Sequence, residues 1–411
     1  MGDRSPAQAP PAILALELGR RGASLTLRGD ATILAVGDQT VSSYDLCGRP
    51  YVLVRGDATL RRALDGRVLE KRPSLGGEVR IRRRLEPSEA QPLLDEARRE
   101  AEALREALAR APAGTPEQRA EAGRRLEGIV AMDAAGLLAD AERFRATYGR
   151  VGVLPPDQYL ALVLQATRGC SWNACTFCDL YRDVQFHACT PSEFAAHLLA
   201  VGSYFGDSLP LRRSVFIGDA NALCVAHDRL APLLALAARL EAAAGGLYAF
   251  LDLWTGRRVS LEEYRDYARL GLRRVYLGLE TGDLELLAWL NKPGSPAEAV
   301  ELVAALHAAG IAVGVIVLVG AGGERFDAGH VSGTSGVLSR MRLRADDIVY
   351  FSELLAEAGP GYSRRAAAEG LRPLAPGRLL EQRAAIAAGM RPADPRRPPR
   401  RVSYDLREFI Y

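Results

Sequence analysis

Three cysteines, Cys170, Cys175 and Cys178, fall within nine residues of a chain that has six in all. Thiolates are metal ligands, and three offered by one loop can hold three irons of a cubane while the fourth iron keeps an open position. An open position is where a substrate or cosubstrate coordinates. A structural zinc site instead requires four closed ligands; the nearest further donors are His187 and Cys189, and the second C-x-x-C of a zinc ribbon is missing. Cys47, Cys189 and Cys224 are scattered and make no second cluster, and Cys224 reads as a small apolar filler. In a reducing compartment the grouping points to a metal site rather than a disulfide framework.

The elements around this loop set its position. The 411 residues suggest two or three domains, with 48% hydrophobic residues to build a core. Runs in 12–85 (AILALELG, SLTLRGD, TILAVGD, YVLVRGD, GEVRIRRRL) are broken by Gly-Asp and Gly-Arg turns, which argues an antiparallel sheet in a β-rich domain over 1–86. Residues 87–157 read as a helical hairpin and linker, with two long helices up to about 148 separated by APAGTP, where Thr115 can cap and Pro116 can open the second. From 158 to 360, apolar strands at 161–167, 214–218, 247–253, 273–279, 311–319 and 346–351 alternate with amphipathic helices. That pattern means a parallel sheet covered on both faces, either a partial barrel or an open doubly wound sheet. Residues 361–411 read as a helix near 376–389, an Arg/Pro-rich linker and a tail.

Charge and hydropathy narrow the function classes. The 53 basic residues against 50 acidic ones argue against a nucleic-acid partner. The most apolar stretch, 310–320, is strand-sized, so no membrane span is expected, and the polar, proline-rich residues 1–11 lack the apolar core of a secretory leader. A soluble cytoplasmic protein is expected.

The segment TRGCSWNACTFC (167–178), directly after the first apolar strand, resembles the cluster loop of the radical SAM superfamily, in particular its Elp3-like branch, whose loop reads TRGC-(P/S)WN-x-C-TFC. The spacing here is C-x4-C-x2-C, whereas most of the superfamily has C-x3-C-x2-C. Further strings follow in the superfamily's order: FIGDANAL at 216–223, LGLETGD at 277–283 with LNKPG at 290–294, and VGAGGE at 319–324. The resemblance implies an α/β fold, a partial (β/α)6 TIM-like barrel with cofactors at its mouth, preceded by the β-rich and helical extension. It implies that Cys170, Cys175 and Cys178 ligate a 4Fe-4S cluster. It also implies that Phe177, Gly218, Asp219, Asn221, Glu280, Lys292 and Gly320 contact S-adenosylmethionine.

The chemistry so implied is reductive cleavage of S-adenosylmethionine to methionine and a 5′-deoxyadenosyl radical that abstracts hydrogen from, or adds to, a small-molecule substrate. The electron comes from an external flavodoxin- or ferredoxin-type donor, and such a centre is oxygen-sensitive. Modification of RNA or peptide, and a non-catalytic iron-sulfur binding or maturation role, are the alternatives. No D-x-H-x-x-G string is present, which disfavours the usual cobalamin module.

One compositional bias points the same way. Fifty-one of the basic residues are Arg, only Lys71 and Lys292 are Lys, and Asn occurs only at 173, 221 and 291. Four of these five rare residues lie in segments named above. Asn221 and Lys292 are therefore singled out as site residues.

Overall fold

The computed structural model describes residues 10–73, 80–110, 113–355 and 359–411. Residues 77–79 of the GEVRIRRRL run, Ala111 and Pro112 of APAGTP, and residues 1–9 lie outside them. The chain forms two compact units. The first comprises Met1–Arg150, Leu199–Arg213 and Arg407–Tyr411; the second comprises Val151–Leu198 and Ser214–Leu406.

In the first unit eight strands pair antiparallel in chain order: β1 (Ala12–Leu18), β2 (Arg21–Leu27), β3 (Thr32–Val36), β4 (Thr40–Tyr44), β5 (Pro50–Arg55), β6 (Ala58–Arg62), β7 (Val68–Pro73) and β8 (Arg80–Leu85). The sequence showed five of these runs; β4, β6 and β7 are too polar to stand out by composition. Alternation buries one face, as with Leu14 and Leu16 of β1 and Leu34 and Val36 of β3. Onto those leucines pack Ala101 and Leu104 of α1 (Pro87–Arg110) and Leu126 and Ile129 of α2 (Pro116–Ala131). Thr115 caps α2 in a reciprocal box with Gln118, with Pro116 in the first turn. A third helix, α3 (Ala134–Tyr148), replaces the end of the expected second one, because the Asp133 side chain accepts the Gly136 N–H and restarts the chain there.

The second unit is built on a parallel sheet of seven strands, ordered β17-β16-β15-β14-β13-β12-β9 without closure. These are β9 (Leu162–Gln165), β12 (Val215–Gly218), β13 (Leu247–Leu251), β14 (Leu272–Glu280), β15 (Ala312–Val319), β16 (Ile348–Glu353) and β17 (Arg400–Ser403). Two short strands, β10 (Thr167–Arg168) and β11 (His187–Ala188), pair antiparallel beside it. Connecting helices include α4 (Pro191–Phe205, which from Leu199 on counts with the first unit), α5 (His227–Ala237), α6 (Leu253–Gly256), α7 (Leu261–Arg269), α8 (Leu284–Trp289), α9 (Pro296–Ala308), α10 (Gly323–Arg340), α11 (Pro360–Ala368) and α12 (Pro376–Gly389). The six expected strands are all present. The seventh, β17, lies in the stretch read as linker and tail, where pairing with β16 overrides an arginine-rich composition.

Aromatic side chains fill the middle of the sheet's inner face. The rings of Phe216 and Phe250 lie 5.1 Å apart, and Tyr276 stands 6.0 Å from Phe216, Phe250 and Tyr350 alike. Gly314 makes the room, since a Cβ there would sit 2.5 Å from the Tyr276 ring. At the strands' amino ends Asp157 accepts hydrogen bonds from Tyr350 (2.6 Å), Tyr276 (2.7 Å) and Arg274 (3.1 Å).

Candidate functional site

The three cysteines occupy an irregular loop that leaves the carboxyl end of β9. Pairing of β10 with β11, Thr167 with Ala188 and Arg168 with His187, closes the loop at its base. Within it Asn173 takes the left-handed conformation, φ 47°, its N–H meeting the Cys170 sulfur at 3.3 Å and its amide donating to the Tyr181 carbonyl at 2.6 Å. Asn tolerates that backbone better than most residues other than Gly. The Arg182 guanidinium donates to the carbonyls of Asn173, Cys175 and Cys178.

A second segment, directly after α8, also holds the loop. The Leu290 carbonyl accepts from Thr176 N–H (2.9 Å), the Asn291 carbonyl from the Trp172 indole (2.9 Å), and the Asn291 amide donates to the Ala174 carbonyl at 2.8 Å. Asn291 is also left-handed, φ 52°. Two of the three asparagines are therefore explained by backbone conformation, a constraint the sequence reading did not identify.

Next to Asn291, Lys292 is half-buried against the buried Glu280, with Nζ 3.1 Å from Oε1. Gly278 makes this pair possible: a Cβ there would lie 2.6 Å from the Glu280 oxygen and 2.7 Å from the Lys292 nitrogen. Burial works against the Lys292 charge, yet the Glu280 carboxylate and Cys175 beside it raise the pKa above the ordinary lysine value. Burial pushes the Cys175 thiol up to about 11, opposed by Lys292, and raises Cys178 as well. All three cysteines are free thiols, so a metal taken up here displaces protons.

The carboxyl ends of β12 and β13 supply a polar group. The Asn221 amide donates to Asp252 (2.5 Å) and Thr255 (2.7 Å), while its carbonyl oxygen is buried with no protein partner. Such an orphaned acceptor is costly unless a ligand or water completes it. Asp252, which caps α6, was missed from sequence, although its place at a strand's carboxyl end was visible.

Other expected contacts are engaged by the protein itself. Asp219 accepts from Gln165 (2.9 Å) and from the Gly169 N–H (3.2 Å), fixing the residue before Cys170. Gly218, a strand's last residue, sends its carbonyl to Thr167 at 3.3 Å. The Phe177 ring packs into an apolar cluster with Leu286, Trp289 and Tyr362. The Gly320 N–H donates to Gln382 at 2.7 Å and the Gly322 N–H to Tyr362 at 3.1 Å, so α11 and α12 cover this glycine loop. His187, Cys189 and Glu193 bring their ligand atoms within 4.8 Å of one another. Local structure accounts for them: Glu193 pairs with His187 and closes a box with Thr190, and Cys189 donates to the Gln165 carbonyl.

The donor set fits an iron-sulfur centre with an open position. Three thiols come from one preshaped loop, a largely buried Lys-Glu pair lies beside them, and an orphaned amide oxygen belongs to the neighbouring strand end. Among the described residues no helix is long and apolar enough to cross a membrane.

Residues 164–328 match the sequence profile of the radical SAM superfamily. No curated protein matches the chain. Among solved structures, it resembles the cobalamin-dependent S-adenosylmethionine radical enzyme OxsB at 14% identity, TM-score 0.37, over 64% of this chain and 34% of that one. It resembles the radical S-adenosylmethionine methyltransferase TsrM from Kitasatospora setae at 14% identity, TM-score 0.39, over 58% and 53%. SuiB from Streptococcus suis, solved with S-adenosylmethionine, aligns at 12% identity, TM-score 0.41, over 85% and 72%. The chain thus spans about a third of OxsB and half of TsrM. Residues 164–328 of this chain thus carry the sequence pattern of a radical SAM superfamily domain.

Proposed function

We propose that this chain holds a 4Fe-4S cluster through Cys170, Cys175 and Cys178 and uses it to cleave S-adenosylmethionine, in the manner of the Elp3-like branch. The observation that carries the reading is the set of three free thiols on one loop at the carboxyl end of β9, clamped by the segment that brings in Lys292. When bound, the cluster and S-adenosylmethionine supply one-electron cleavage to methionine and a 5′-deoxyadenosyl radical. The chain's own residues bind and orient. The largely buried Glu280-Lys292 pair and the Asn221 oxygen offer opposite charges and an acceptor to a zwitterionic cosubstrate. The Phe177 backbone and the Gly218 and Gly320 segments line its approach, and Asp219 acts by holding Gly169.

The electron donor is an external flavodoxin- or ferredoxin-type protein, and the substrate is a small molecule, a reading supported by near-neutral charge. The action is placed in the cytoplasm. Anaerobic reconstitution tests the proposal: about four irons per chain, an absorbance near ~400 nm, and release of 5′-deoxyadenosine with dithionite are expected. Release of 5′-methylthioadenosine alone overturns the radical assignment.

A further inference from the structure

We propose that Arg182 is the positioning residue that pre-forms the three-cysteine loop before any cluster binds and keeps a positive charge beside the backbone of the cysteines that would hold it. This rests on the reading of the loop as an iron-sulfur site.

The guanidinium is a planar fork of five donors that cannot deprotonate in a protein. Its Nε donates to the Cys178 carbonyl at 3.1 Å, and its two terminal nitrogens donate to the carbonyls of Cys175 and Asn173. Two of those carbonyls belong to expected ligands, and the third belongs to the left-handed residue in the lengthened gap between Cys170 and Cys175. Residues 169–186 form neither helix nor strand, so no ladder supports these peptides. Because a peptide is planar, fixing its carbonyl fixes the plane and with it the direction in which the neighbouring Cα–Cβ bonds leave the chain. One side chain thus sets three peptide planes around Cys175 and Cys178. Asn291 and Leu290 grip the same loop from another segment, but only Arg182, among the described residues, binds the backbone of two cysteines at once. A cluster bound by these cysteines would have a cation hydrogen-bonded to the peptides of two of its ligands, which would favour its reduced, more negative form.

The test compares wild type with R182K and R182Q, first without a cluster and then reconstituted. Lysine keeps the charge, but its single ammonium cannot span three carbonyls; glutamine removes the charge. In cluster-free protein, hydrogen exchange over residues 173–179 is expected to rise on the order of tenfold in both variants. Exchange of the parallel strands should stay as in wild type. After reconstitution the cluster in R182Q should show a more negative reduction potential than wild type, with R182K close to wild type. Wild-type exchange in both variants, or a wild-type potential in R182Q, overturns the assignment. A wild-type chain that takes up no iron overturns the cluster reading instead, and the exchange comparison then judges Arg182 by itself.

Discussion

The two ends of the parallel sheet treat their polar groups in opposite ways. At the amino ends, both oxygens of Asp157 are engaged by the Tyr276 and Tyr350 hydroxyls and the Arg274 guanidinium. At the carboxyl ends, three cysteines form no disulfide, Glu280 meets Lys292 through one oxygen, and the buried Asn221 oxygen has no protein partner. Between them stands an apolar and aromatic layer. A saturated end is built for stability, whereas an undersupplied end keeps capacity for a ligand, the same division of labour as in barrels whose chemistry sits at the strands' carboxyl face.

That contrast can be broken experimentally. The largest effect is expected for Cys170→Ala: iron content after reconstitution should fall far below the wild-type level and 5′-deoxyadenosine release should vanish, while thermal stability of the cluster-free chain barely moves. A Cys170→Ala protein with a full cluster removes that ligand assignment. At the other end, Asp157→Ala leaves two buried phenols and Arg274 without their acceptor and should cost about 3 kcal/mol of stability, read by denaturant titration. S-adenosylmethionine affinity per folded molecule should be unchanged, and a loss of affinity without a loss of stability would reverse the roles assigned to the two ends.

Acidification sharpens the contrast further. Burial lowers His330 to about 4, and it lowers His197, also near Arg168, to about 4. Both hold backbone or hydroxyl groups at the carboxyl side: His197 accepts the Gln165 N–H, and His330 bonds Thr281. The folded pKa lies below the unfolded value near ~6.5, so the unfolded chain binds more protons between them. Stability is therefore complete above pH ~6.5 and is lost as pH falls towards 4, by about 2 kcal/mol per histidine at pH 5. A His330→Gln variant should flatten that slope, and an unchanged slope would show that His330 does not titrate this way. The smallest expected effect is Asn221→Ala, which should weaken S-adenosylmethionine binding about tenfold, the value of roughly one buried hydrogen bond. Wild-type affinity would mean that water alone completes the orphaned oxygen.

Much of the second unit is legible in the sequence because apolar runs and strand-end motifs report burial directly. All six strands and the Cys170, Glu280, Asn221 and Lys292 segments could be read this way. What escaped depends on partners remote in the chain. Arg182 is one of 51 arginines, and its type carries no signal until its three carbonyls are seen. β17 exists because β16 presents a free edge, not because RRVS favours a strand. Asp219 sits where a charged contact was expected, but Gln165 and Gly169 claim its oxygens. The rare asparagines drew attention to their segments by composition, but the left-handed backbone of Asn173 and Asn291 is a property of the fold.

The chain order of the first unit carries a consequence for biogenesis. Its eight strands each pair with the next, so its contacts are local and its sheet has a low contact order, able to form early as the chain is made. Yet Leu64 N–H donates to the Tyr411 carbonyl, and residues 407–411 belong to that same unit. Its assembly therefore draws on residues that lie on both sides of the parallel-sheet unit in the chain, and it is completed only after every strand of that sheet has been synthesised.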